Sequence, residues 1–110
     1  YFGTVVKNKP KQIAGWEYLI KCLVSSGQLQ VALEQAELAY ISTQGIILFI
    51  YYRSAILFMM KKSADGLLQL EMALSKSTKW LKKFLKFYPE IIQDNKVTEL
   101  IGRYKKAKNG

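Results

Sequence analysis

Few side chains in this sequence can do chemistry, and the clearest pattern among them is cationic. Lys79, Lys82, Lys83 and Lys86 are interleaved with Trp80, Leu81, Phe84, Leu85, Phe87 and Tyr88. At 100° per residue the two sets fall on opposite sides of one helix. Such a helix can lie on an anionic membrane, dock in a partner's groove or contact phosphates. It can equally cover the apolar face of its own domain with its lysines in water, which is what the end of a helical array requires and is the preferred reading. Histidine is absent and the one cysteine is Cys22, which excludes disulfide frameworks, Cys/His zinc sites, serine-histidine triads and cysteine-histidine dyads. Cys22 has no histidine or cationic helix terminus beside it and reads as a buried, inert thiol. Glu34, Glu37 and Glu71 lack a paired carboxylate, a metal-ligand set or a glycine-rich phosphate loop, and read as solvated helix positions. The inventory points away from an enzyme and requires no metal or cofactor.

The elements that hold these residues are helical. With 110 residues, 50% of them hydrophobic and 23% charged, the chain has the size of one domain and enough apolar material for a core. Two prolines and seven glycines are too few for a turn-rich β chain. Ile13, Trp16, Leu19, Ile20, Leu23 and Val24 recur at spacings of three and four, and Ser25, Ser26 and Gly27 end that run. Leu29, Ala32, Leu33, Ala36 and Ala39 form a second run, closed at Gly45. A third helix is expected over Ile46 to Met60 and a fourth from about Asp65. The third has thirteen apolar residues, interrupted only by Arg53 and Ser54. Crossing a bilayer takes about 20 apolar residues, so a helix sandwiched between neighbours is the better account and no transmembrane segment is expected. Tyr1 to Val6 is apolar without a cationic leader, hence not a signal peptide; together with the basic end it reads as the C-terminal portion of a longer protein.

The four helices carry an internal period, the offset from Gly27 to Lys61, from Ala32 to Gly66 and from Ala39 to Ala73. Counting Ile13 as position 1, Trp16, Leu19, Gly27, Ala32 and Ala39 occupy positions 4, 7, 15, 20 and 27, and Gly66 and Ala73 return at positions 20 and 27. Phe2, Val5 and Pro10 take positions 24, 27 and 32 of a preceding unit. This pattern resembles the tetratricopeptide repeat family. The resemblance covers Tyr1 to about Thr78 and weakens in the second unit, where Arg53 replaces the expected Leu, Lys61 the Gly and Thr78 the Pro. It implies an all-α fold of antiparallel helix pairs in a right-handed α-solenoid. Residues 1–12 become the tail of a preceding repeat, 13–46 a repeat, 47–78 a degenerate repeat and 79–110 a basic capping segment of two helices. Trp16, Leu19, Gly27, Ala32, Ala39, Gly66 and Ala73 would be the repeat-packing residues. Beyond Lys79 the pattern fails, because Pro89 would fall in the middle of a helix.

The same resemblance implies a concave groove lined by positions 2, 5, 9, 12 and 13. Carried over, these are Ala14, Glu17, Lys21, Val24 and Ser25, then Leu48, Tyr51, Ala55, Phe58 and Met59. Glu17 and Lys21 stand where carboxylate-clamping members carry Lys and Asn, so that specificity is not implied. The implied function is a non-catalytic scaffold that binds a protein or peptide. Alternatives are an assembly module whose groove is self-occupied, with homo-oligomerisation through an exposed repeat end, or attachment of the basic end to nucleic acid or an anionic membrane. Residues 79–110 carry nine bases and three acids, which is +6 of the net +9. No base-stacking motif accompanies that charge, so nucleic acid is disfavoured. A single cysteine fits a reducing compartment such as the cytoplasm without excluding others.

Overall fold

The computed structural model describes the backbone of residues 10–109 and the side chains of residues 13–104. The described residues form helices and the turns between them, with no strand among them. In chain order these are α1 (Pro10–Ser25), α2 (Leu29–Ser42), α3 (Leu48–Met59), α4 (Ser63–Lys76), α5 (Leu81–Phe87), a 3-10 turn (Pro89–Gln93) and α6 (Asn95–Asn109). α1 packs on α2, α2 on α3 and α3 on α4; α5 then lies on α3, and α6 packs on α4 and on the 3-10 turn.

The period of the sequence is also a period of the backbone. α2 and α4 begin one period apart, at Leu29 and Ser63, and end one period apart, at Ser42 and Lys76. The last residues of α1 and α3, Ser25 and Met59, keep the same offset. Both α1 and α3 close with a left-handed residue, Gly27 at φ 80° and Lys61 at φ 68°. In the first turn the Gly27 N–H donates to Val24 O at 3.0 Å and the Gln28 N–H to Leu23 O at 2.9 Å. In the second, Lys61 donates to Phe58 O at 3.0 Å and Lys62 to Leu57 O at 2.8 Å. This doubly bonded stop satisfies two helix-end carbonyls and needs a positive φ. Glycine is therefore at position 15 for its conformation: a Cβ on Gly27 would meet nothing within 4 Å, so its expected packing role is replaced by a turn role.

Packing at the other repeat positions follows the small residues. Ala32, Ala36 and Ala39 are fully buried against Leu48, Phe49, Tyr52 and Ile56 of α3. Ala73 is fully buried and Gly66 is buried in the second unit. At Gly66 a Cβ would come within 2.8 Å of the Phe58 ring, and Ser54 donates to Gly66 O at 2.7 Å, so α3 and α4 are in near contact there. Small residues permit that approach. α3 belongs to both clusters and has ten of its twelve residues buried, which explains why it is apolar on every side. Among the described residues no helix is long and apolar enough to cross a membrane.

Several expectations need correction. Residues 10–12, assigned to the tail of a preceding unit, form the first turn of α1, which opens at Pro10, where proline's missing N–H costs nothing; Tyr1 to Lys9 lie outside the described residues. Leu19 is 39% exposed and Trp16 half-buried. Cys22 is exposed, not buried. The reason is visible in the register: Tyr18 and Cys22 correspond to Tyr52 and Ile56, which are buried because the preceding helices cover them. Among the described residues no equivalent pair precedes α1.

Candidate functional site

The Lys/aromatic segment folds as the pattern requires, though its helix is shorter. α5 runs only over Leu81–Phe87; Lys79 and Trp80 stand in the turn before it. Leu81 and Phe84 are buried, whereas Lys79, Lys82, Lys83 and Lys86 are exposed. The aromatic side is laid on α3. The Phe84 ring lies 5.6 Å from Tyr51 and the Phe87 ring 4.5 Å from Tyr52. Aromatic pairs at such separations contribute about 1 kcal/mol each beyond their buried area.

This placement corrects half of the expected groove. Tyr51, Leu48 and Ala55 are fully buried, Phe58 is 9% exposed and Met59 is half-buried. The chain's own α5 and the residues after it occupy the face that α3 would offer a partner. Burial raises the Tyr51 hydroxyl well above the usual tyrosine value, because the phenolate would lose its water. That hydroxyl donates to Ser77 O at 2.5 Å, tying α3 to the segment that leads into α5.

The other half of the groove, along α1, stays open. A cleft of about 670 Å³ has Ile13, Ala14 and Glu17 of α1 on one side and Lys79, Trp80 and Lys83 on the other, with Gly45, Ile46 and Ile47 between. A smaller cavity of about 300 Å³ follows along the same two helices, between Lys21, Val24 and Ser25 of α1 and Lys86 and Phe87 of α5. Every α1 groove candidate thus lines a cavity shared with the α5 segment: Glu17 with Lys79 and Lys83, and Lys21 and Ser25 with Lys86. Lys82 lies outside both cavities.

Glu17 is the hinge of this arrangement. It is 8% exposed, an unusual place for a carboxylate, and has two partners. The Tyr52 hydroxyl donates to it, and the Lys83 ammonium lies 3.2 Å from both carboxylate oxygens. Burial and the Glu17 contact together push the Tyr52 hydroxyl far above its ordinary value. At the cleft mouth Lys79 sits 4.9 Å over the Trp80 ring, a cation-π contact. Sequence reasoning placed Glu17 in a groove and the lysines on a separate surface. Only the helix packing joins them, and the periodicity signal alone could not reveal it. Tyr52 and Trp80 are site residues that the sequence did not single out: Trp80 stands there only as part of the apolar side of the Lys/aromatic helix, and Tyr52 occupies none of the expected groove positions. Among the described residues no group of three His, Cys, Asp or Glu side chains could hold a metal ion. Comparison with family models, with curated proteins and with solved structures finds no match to this chain.

Proposed function

We propose that this protein is a non-catalytic helical-repeat scaffold of the tetratricopeptide kind. In this reading antiparallel helix pairs form a right-handed solenoid closed by the segment from Lys79, and a protein or peptide binds along α1. The observation that carries the reading is the recurrence, at one sequence period, of helix ends, left-handed turn residues and turn hydrogen bonds between α1–α2 and α3–α4. In this reading the first helix of each pair faces a common concave side, and the two open cavities along α1 support it.

A second reading, an assembly module with a self-occupied groove, draws on the stacking of Phe84 on Tyr51. The two readings differ in whether the α1 half of the groove binds anything. Peptide-display selection against the intact chain, followed by amide-shift mapping of the selected peptides, separates them. Scaffold function predicts shifts concentrated at Ile13 to Ser25 and Lys79 to Phe87. Failure to select any peptide, or shifts confined to α4, would overturn it.

A further inference from the structure

We propose that the groove between α1 and α5 takes an acidic peptide segment. Its apolar side chains enter the cleft at Ile13, Ile46, Ile47 and Trp80, and its carboxylates meet Lys21, Lys79 and Lys86. The inference rests on the scaffold reading and names the partner's chemistry.

Charge favours such a ligand. Lys21, Lys79, Lys83 and Lys86 line the two cavities, against a single carboxylate, Glu17. Glu17 consumes one of these cations, since Lys83 is its salt-bridge partner. Three ammonium groups remain beside an apolar floor. Long lysine stems bordering aliphatic walls suit a ligand that alternates nonpolar and anionic side chains. The protein also supplies an internal example of the contact: the Glu17 carboxylate, presented from a helix, is held by Lys83 at the edge of the cleft.

Length and shape agree. From Ile13 to Ser25 the α1 wall runs about 18 Å at the helical rise of about 1.5 Å per residue, which an extended peptide of about six residues spans. Membrane attachment is disfavoured because the apolar side that α5 would insert is spent on α3, with Leu81 and Phe84 buried. Nucleic acid is disfavoured because the aromatic next to the lysines, Trp80, is half-buried within the cleft rather than displayed as a stacking platform.

The test uses the intact chain and a fluorescent peptide of alternating leucine and glutamate, read by anisotropy. The comparison ligands are the same peptide with glutamine for glutamate, a thymidine oligonucleotide and phosphatidylserine vesicles. The acidic peptide should bind at least about tenfold more tightly than its glutamine counterpart, and weaken as salt rises. Lys21→Gln, Lys79→Gln and Lys86→Gln together should remove that advantage. All three lysines are exposed, so thermal unfolding should confirm an intact fold. Lys61→Gln, Lys62→Gln and Lys76→Gln lower the net charge equally at sites outside the cavities and should retain the advantage. Absence of binding, equal binding of the glutamine peptide, or equal loss in the control variant would overturn the proposal. So would tighter binding of the oligonucleotide or vesicles through the same three lysines. Display-selected peptides that bind this groove without acidic preference would overturn it while leaving the scaffold reading standing.

Discussion

Lys61 repeats the backbone of Gly27 one sequence period later: both adopt a positive φ and both donate their N–H three residues back, to Phe58 and Val24 respectively. The left-handed region costs a residue with a Cβ about 1–2 kcal/mol, and glycine almost nothing sterically. Lys61→Gly is therefore expected to stabilise the protein by about 1 kcal/mol and Gly27→Ala to destabilise it by a similar amount. Urea midpoints measure both. Two shifts of the same sign would show that these turns are not equivalent.

Gly66 and Gly15 make an opposed pair. A Cβ at Gly66 would come within 2.8 Å of Phe58, so Gly66→Ala should cost about 1–3 kcal/mol. At Gly15, inside α1, a Cβ meets nothing within 4 Å, and Gly15→Ala should gain about 1 kcal/mol from helix propensity. Ala39→Leu and Ala73→Leu, at two fully buried positions, should each cost about 1–3 kcal/mol by overpacking. Denaturation midpoints unmoved by the two alanine changes would contradict the packing register.

The buried tyrosines predict loss of stability in alkali. Tyr51 and Tyr52 are both raised above the ordinary value of 10.0, chiefly by burial. Below pH 10 each is protonated in both folded and unfolded chains. Above it the unfolded chain ionises first, so each should remove about 1.4 kcal/mol of stability per pH unit until its folded value is reached. The comparison is with Tyr51→Phe. That variant should lose stability less steeply between about pH 10 and 12; an unchanged slope would contradict burial of the hydroxyl.

Removing residues 79–110 should uncover Tyr51, Tyr52 and Phe58 and make the remainder aggregate, because α5 is what covers the aromatic face of α3. Light scattering of the truncated chain measures this. A soluble monomer would contradict it.

The helices and their period were legible because burial on one face imposes a spacing of three to four residues, and close packing imposes small residues at Ala32, Ala39, Gly66 and Ala73. For Tyr51 and Phe58 the sequence left two outcomes open, a binding face or a face covered by the chain's own cap, and the structure shows the second. A residue lining a binding face and one covered by the chain's own later helix have the same composition. Cys22 misled for a related reason: it sits on the face that, in the following unit, an earlier helix pair covers at Ile56. The Glu17–Lys83 pair spans 66 residues and follows no local spacing, so only the path of the chain after Ser77 brings it about.

α5 fills the face of α3 and leaves the face of α1 open. The most direct measurement is a nuclear Overhauser spectrum of the intact chain with its aromatic residues labelled. Cross-peaks are expected from Phe84 to Tyr51 and from Phe87 to Tyr52, whose rings lie 5.6 and 4.5 Å apart, and none from Phe84 to Ile13. Absence of both aromatic cross-peaks, with rapid amide exchange over Leu81–Phe87, would contradict it.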